Sequence, residues 1–138
     1  MEEIEKPKFR NRRILFMDDE DMMRKIIGSM LMRLGYVPEV SREGSEAINM
    51  YQQAMDSEYP FDAVILDLNV EAGLGGLDTI KELKAIDPRV KAIISSGLSN
   101  DPVMICFKEY GFQGVLAKPY KMKDIEDELY KIHMVQER

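Results

Sequence analysis

Aspartate, serine and lysine residues occur in this sequence where they could act together on a phosphoryl group. They are Asp18, Asp19, Asp67, the pair Ser95–Ser96, and Lys118. Three carboxylates held close together repel one another, and a bound divalent cation would supply the opposite charge. Oxygen ligands without histidine or cysteine favour Mg²⁺. A carboxylate is also a nucleophile toward phosphorus, and a lysine and a hydroxyl could neutralise and orient the transferred group.

Short, uninterrupted apolar segments precede these residues and predict buried strands. They are residues 14–17, 63–66, 92–94 and 115–117. Continuous apolar runs of this length are typical of parallel strands that are covered on both faces. The carboxyl ends of parallel strands lie along one edge of the sheet, where open α/β folds bind ligands. We therefore expect the polar residues to meet at that edge.

The remaining segments predict a fifth strand and five helices. The strand spans residues 36–40, and Pro38 favours an edge position, where a missing N–H donor does no harm. The helices repeat apolar residues three or four positions apart and begin near residues 22, 44, 77, 102 and 122, with the fourth expected to continue to Gly111. This alternation predicts a doubly wound α/β fold of the flavodoxin-like type, with five helices and a five-stranded parallel sheet in the order 2-1-3-4-5.

The composition is that of one acidic globular domain. The 138 residues carry 19 Lys and Arg against 25 Asp and Glu, and the net charge of −6 disfavours binding to a nucleic acid. A single cysteine and a single histidine exclude a disulfide framework and a multi-histidine metal site. The histidine, His133, is expected on the surface of the last helix.

The sequence shows no sign of a membrane span or a secretion signal. No apolar run approaches the roughly 20 residues that span a bilayer, and residues 1–13 do not resemble a signal peptide. We expect a cytoplasmic protein with a flexible N-terminal tail or linker stub at residues 1–12 and one domain at residues 13–136.

Four motifs resemble those of the receiver domains of two-component response regulators. They are ILFMDDED at 14–21, VILDLNV at 64–70, AIISSGLS at 92–99 and LAKPY at 116–120. All four stand in the family's order, which makes the resemblance specific, and it covers about residues 12–135. The segments GLGGLDTI, SNDPVM and EYGFQGVLAKPY are similar to receiver domains fused to hybrid sensor histidine kinases, which makes such a kinase one candidate for the parent polypeptide.

The resemblance implies a role for each residue that would handle the phosphoryl group. Asp67 would accept that group from a phosphohistidine in an Mg²⁺-dependent transfer. Lys118 would contact the phosphoryl oxygens, and Ser95, preferred to Ser96 by alignment with the family, would donate its hydroxyl. The peptide bond between Lys118 and Pro119 is expected to be cis.

The resemblance also implies a metal site. The ligands of the Mg²⁺ would be Asp18, Asp19, Asp67 and the backbone carbonyl of Asn69. The acidic residues in this set are the same ones whose mutual repulsion calls for a cation.

The implied activity is signalling rather than independent catalysis. The donor would be a histidine kinase or a histidine phosphotransfer domain, and the receiving partner would be a downstream protein effector. The domain would catalyse only its own phosphorylation and autodephosphorylation. We expect no direct contact with nucleic acid or membrane, and a monomer or a weak dimer.

Two departures from the family pattern leave a second interpretation open. Glu71 replaces the proline usually found four residues after the phosphoacceptor, and Val115 stands where many receivers carry a switching Tyr or Phe. A pseudo-receiver, which binds partners without phosphorylation, is therefore an alternative. A small-molecule phosphatase of the aspartyl-phosphate type is disfavoured, because its second aspartate follows the first by two residues and here Glu20 occupies that position.

Overall fold

The computed structural model describes the backbone of residues 11–136 and the side chains of residues 11–133. Five strands alternate with helices along this part of the chain. The strands are β1 (Arg13–Met17), β2 (Val37–Ser41), β3 (Ala63–Asp67), β4 (Ala92–Ser96) and β5 (Gly114–Ala117). The helices are α1 (Asp21–Arg33), α2 (Gly44–Met55), α3 (Gly76–Ile86), α4 (Pro102–Ile105) and α5 (Met122–Gln136), with a 3₁₀ helix (Phe107–Tyr110) between α4 and β5.

All five strands are parallel and follow the order β2-β1-β3-β4-β5, which confirms the predicted topology. The strand that contains Pro38 lies at the sheet edge, as predicted, and Val37 in it is exposed. Met17 pairs with Leu66 and Asp67 pairs with Ser95. The residues that end β1, β3 and β4 therefore reach the same level of the sheet.

Helices cover both faces of the sheet, because alternate residues of the central strands point to opposite sides and both sets are apolar. On one face α1 and α5 bury side chains such as Ile27 and Leu129 against Phe16 and Ile65. On the other face α2, α3 and α4 pack residues such as Tyr51 and Leu83 against the sheet. The strands consequently lie in the middle layer of three.

The fourth helix is shorter than predicted. Instead of continuing to Gly111, α4 ends at Ile105, and Cys106 leaves helical geometry with φ −109° and ψ 42°. The chain then forms the 3₁₀ helix, which Gly111 ends in the left-handed conformation at φ 97°. Gly111 is thus the end of the whole segment, as expected, but the segment is divided into two short turns.

The prediction that His133 lies on a helix surface is wrong, since the residue is only 1% exposed. Its ring lies 6.2 Å from that of Tyr36, and its Nδ1 lies 3.5 Å from a guanidinium nitrogen of Arg12. These neighbours come from the opposite end of the sequence, so the pattern of α5 alone could not reveal them.

The predicted tail at residues 1–12 lies mostly outside the described residues, which begin at Asn11. None of the helices in the described part of the chain has the length and apolar character that crossing a bilayer requires.

Candidate functional site

Three carboxylates converge at the carboxyl ends of β1 and β3. Asp18 is fully buried, Asp67 is 3% exposed and Asp19 is half-buried. One oxygen from each residue lies within 4.8 Å of the others. The structure therefore brings together the three aspartates that the sequence analysis selected.

Lys118 provides the positive charge next to these carboxylates. Its Nζ lies 2.8 Å from Oδ2 of Asp18 and 3.5 Å from Oδ1 of Asp67. The backbone N–H of Lys118 donates to the carbonyl of Ser96 at 2.8 Å, which fixes the lysine at the end of β5. The Lys118–Pro119 peptide bond is cis, as expected from the resemblance.

Burial makes the ionised form of Asp67 costly. It raises the pKa of this carboxyl to about 6, and the charge of Asp18 acts in the same direction. Lys118 and the backbone N–H of Asn69 oppose the change without cancelling it. Burial alone would lower the pKa of Lys118, but its bond to Asp18 and the charge of Asp67 raise it overall. The lysine is therefore charged at neutral pH and does not fully offset two buried carboxylates.

The donor set fits a hard divalent cation. Its ligand atoms are carboxylate oxygens from Asp18, Asp19 and Asp67, and one lysine leaves them with excess negative charge. Oxygen ligands of this kind suit Mg²⁺, which keeps several waters and needs few protein ligands. Asn69 lies beside them, since its N–H donates to Oδ1 of Asp67 at 3.4 Å.

The two serines at the end of β4 have different neighbours. The hydroxyl of Ser95 donates to the hydroxyl of Tyr120 at 3.3 Å, and both residues are buried on the α1–α5 side of the sheet. The hydroxyl of Ser96 accepts from the side-chain amide of Asn69 at 3.3 Å and from the N–H of Leu98 at 3.0 Å. The contacts thus connect Ser96, rather than the predicted Ser95, to the loop that follows Asp67.

An open cavity of about 730 Å³ lies beside the carboxylates. Its walls come from the start of α1 and from the loop between β3 and α3, with Asp19, Glu20, Asn69 and Glu71 among the lining residues. Of the three aspartates Asp19 lines this cavity, so solvent reaches the cluster on its side.

Residues 14–130 match the response regulator receiver domain family. The chain belongs to this family. The match covers most of the chain and confirms the resemblance drawn from the four motifs.

Relatives of this receiver domain include proteins of about its own length. The chemotaxis protein CheY of Thermotoga maritima is 26% identical over 122 residues, which is 88% of this chain and 97% of the relative. Sporulation initiation phosphotransferase F of Bacillus subtilis is 27% identical over 121 residues, covering 88% of this chain and 93% of the relative.

A solved structure of a receiver domain also has the same fold. It is the receiver domain of a Pseudomonas aeruginosa sensor histidine kinase with a magnesium ion coordinated in its active-site cleft. It is 25% identical to this chain, with a TM-score of 0.75, and the match covers 89% of this chain and 98% of the other.

One residue at the receiver site was missed by the sequence analysis. The carboxylate of Glu43 accepts from the N–H groups of Ser45 and Glu46, both at 2.9 Å, and from that of Leu74 at 3.3 Å. Although desolvation acts the other way, these bonds lower the pKa of Glu43. An acidic residue immediately before a helix is a capping signal, but nothing local indicates the bond to Leu74.

Glu43 thereby holds the loop between β3 and α3 against the start of α2. The N–H of Gly44 also donates to the carbonyl of Leu74 at 2.8 Å. Gly73, which precedes Leu74 in this loop, has φ 106°, and a Cβ there would lie 2.5 Å from a carboxylate oxygen of Glu43. Only glycine suits this position, because both the conformation and the space exclude a side chain.

Both departures from the receiver pattern lie near the site. The N–H of Glu71 donates to Oδ2 of Asp19 at 3.0 Å, while Glu71 itself is exposed. Val115 pairs with Ile94 in the sheet and is half-buried on the same face as Ser96.

Proposed function

We propose that this receiver domain is a phosphoacceptor of a two-component phosphorelay, in which Asp67 accepts a phosphoryl group from a phosphohistidine. The observation that supports this most strongly is the buried cluster in which Lys118 lies 2.8 Å from Asp18 and 3.5 Å from Asp67. A structural ion pair would need one carboxylate, whereas this arrangement leaves a second carboxylate facing the lysine and a third nearby.

In the proposed transfer, a carboxylate oxygen of Asp67 forms a bond to phosphorus. The bond from phosphorus to the imidazole nitrogen of the donor breaks, and its electron pair stays on that nitrogen. The product on Asp67 is an acyl phosphate. Lys118, already within reach of Asp67, neutralises the phosphoryl oxygens.

The transfer requires a cation at the acidic cluster. Asp18, Asp19, Asp67 and the backbone carbonyl of Asn69 would hold Mg²⁺, which supplies positive charge to the phosphoryl oxygens. Asp18 is oriented for this role, because its Oδ1 accepts from the N–H of Glu20 at 2.9 Å and its Oδ2 accepts from Lys118.

We assign the hydroxyl role to Ser96 in place of Ser95. The bond from Asn69 to Ser96 places this hydroxyl beside the loop that adjoins Asp67, whereas Ser95 is engaged with Tyr120. Ser96 also shares its face of the sheet with Val115, the position of the switching aromatic residue in many receivers.

The donor in this proposal is a histidine kinase or a histidine phosphotransfer domain, and a protein effector responds to the phosphorylated surface. We place the domain in the cytoplasm, as a monomer or weak dimer, either alone or as part of a hybrid kinase. Its own chemistry consists of its phosphorylation and autodephosphorylation. The alternative, a pseudo-receiver, is motivated by Glu71 and Val115.

Intact-mass analysis after incubation with Mg²⁺ and a small acyl phosphate tests the proposal. Wild type should gain one phosphoryl group, and both the Asp67→Asn variant and a sample with EDTA should gain none. An unmodified wild type that is shown to be folded, tested also with a phosphohistidine-bearing donor, would establish the pseudo-receiver instead.

The same assay distinguishes the two serines. We expect Ser96→Ala to slow phosphorylation by roughly tenfold, as for the loss of one charge-stabilising donor, while Ser95→Ala stays within about twofold of wild type. The reverse order of effects would restore Ser95 to the role.

A further inference from the structure

A second cavity lies at the amino ends of β4 and β5, at the opposite end of the sheet from Asp67. Its volume is about 660 Å³. Side chains from α3, the 3₁₀ helix, α5 and the segments before β4 and β5 line it. The lining residues are Lys84, Lys91, Phe107, Lys108, Gly111, Phe112, Gln113, Glu128, Lys131 and Ile132.

The cavity is positively charged, although the chain as a whole carries −6. Among the residues that the structure describes, four lysines and one acidic residue line it, and one of these lysines, Lys91, has a further interaction. The carboxylate of Glu128 is already engaged, since one oxygen lies 3.0 Å from Lys131 and the other accepts from the N–H of Val115 at 3.0 Å. Lys84 and Lys108 form no ion pair with any residue in the described part of the chain.

The walls of the cavity are fixed by packing and hydrogen bonds. The side-chain oxygen of Gln113 accepts from the N–H of Ala92 at 2.7 Å, and its amide donates to the carbonyl of Val90 at 3.3 Å. Phe112 is only 2% exposed. The stem of Lys84 lies over Gly111, where a Cβ would come within 2.8 Å of the lysine Cε. A preformed cavity of this kind costs little ordering when a ligand binds.

Size and chemistry together define the ligand. Small-molecule pockets usually measure about 300–1,000 Å³ and combine apolar walls with a few polar groups. Here the half-buried ring of Phe107 supplies apolar surface, while Phe112 and Ile132 are buried, and the polar groups are lysine ammonium ions, which bind phosphate as point charges. We propose that this cavity binds a small organic anion that carries an apolar ring and phosphate groups, of the nucleotide class, independently of phosphorylation at Asp67.

Isothermal titration of the full chain in EDTA tests this proposal, since removal of divalent cations prevents phosphate from binding through a metal at the aspartates. The probes are ATP, adenosine and inorganic triphosphate. We expect saturable binding of ATP with a dissociation constant below about 1 mM. Adenosine and triphosphate should each bind at least tenfold more weakly, because each has only part of the recognised chemistry.

Charge-reversal variants locate the binding. Lys84→Glu with Lys108→Glu should weaken ATP binding at least tenfold. The control, Lys25→Glu with Lys123→Glu, makes the same change of net charge outside the cavity and should leave binding within about threefold. Lys84→Gln with Lys108→Gln repeats the test if the reversed pair does not fold.

Three outcomes would overturn the proposal. They are the absence of saturable ATP binding, equal weakening by the cavity variants and the control variants, and binding of a glutamate-rich peptide in the absence of ATP binding. The last outcome would make this surface a protein contact. None of these results bears on phosphorylation of Asp67, which the intact-mass assay measures separately.

Discussion

At the carboxyl end of the sheet Asp67 is buried beside a second carboxylate, whereas at the amino end His133 is buried beside a guanidinium. Burial raises the pKa of Asp67 to about 6 and lowers that of His133 to about 4. In both places the environment favours the uncharged form, with Asp18 and Arg12 as the neighbouring like charges.

The two ends differ at neutral pH. At this pH His133 is neutral and adds little electrostatic cost, but Asp67 is ionised in a site that disfavours its charge. Lys118 offsets part of that cost, and a cation would offset more. The contrast shows that Asp67 retains a destabilising charge, which the proposed nucleophile needs, while the surroundings of His133 keep its side chain neutral.

Removal of Lys118 should have the largest effect on this comparison. Lys118→Met leaves buried Asp18 and Asp67 without their cation, so the free energy of unfolding at pH 7.5 in EDTA should fall by about 3 kcal/mol. Added Mg²⁺ should recover most of the loss. Urea denaturation measures both values, with Lys121→Met as an exposed control. A variant as stable as wild type would mean that the lysine contributes only to phosphoryl binding.

Neutralising Asp67 should remove the electrostatic cost at the carboxyl end of the sheet. Since its pKa is raised on folding, its contribution to stability is fully present below the ordinary value near 4 and is lost as pH rises through about 6. The free energy of unfolding of Asp67→Asn, measured relative to that of wild type, should therefore rise by about 2 kcal/mol as the pH increases from 4.5 to 7.5 in EDTA. Urea denaturation at both pH values measures the gain, and Glu58→Gln, an exposed charge, should show none. If the difference in unfolding free energy between Asp67→Asn and wild type does not change with pH, the pKa of Asp67 is not raised.

The amino end should respond to pH in the opposite direction. Because the pKa of His133 is lowered on folding, its contribution is present above the ordinary value of 6.5 and is lost as pH falls through about 4. The free energy of unfolding of His133→Phe, measured relative to that of wild type, should rise by about 2 kcal/mol as the pH falls from 7.5 to 4.5. Thermal unfolding across this range measures it, and proton NMR titration of the single histidine gives its pKa directly. A value near 6.5 would contradict the prediction.

The smallest predicted effect concerns the loop beside the aspartates. Glu43→Ala removes the cap of α2 and the bond to Leu74, and should cost about 1 kcal/mol of stability. We also expect a weaker Mg²⁺ affinity by titration calorimetry, because the loop that carries Asn69 is less firmly held. Glu82→Ala provides an exposed control on α3. If the affinity is unchanged, the loop is positioned without Glu43.

Much of this architecture could be predicted because it depends on local patterns. Apolar runs identified the buried strands, and the rule that parallel strands end together placed Asp18, Asp67 and Lys118 at one edge. The choice between Ser95 and Ser96 could not be made in this way, since adjacent strand residues face opposite sides and a one-residue error of alignment exchanges them. The burial of His133 and the role of Glu43 depend on contacts with distant segments, which no periodicity records.

The hydrogen bond from Glu71 to Asp19 has a consequence for protein engineering. Consensus redesign would replace Glu71 with the proline common in the family, on the assumption that the common residue suits every member. Proline lacks an N–H, so this exchange would remove the donor that holds one oxygen of Asp19. The backbone N–H of residue 71 thus holds an aspartate that we propose as a metal ligand, and Glu71→Ala, which keeps this N–H, is the variant that tests the side-chain charge alone.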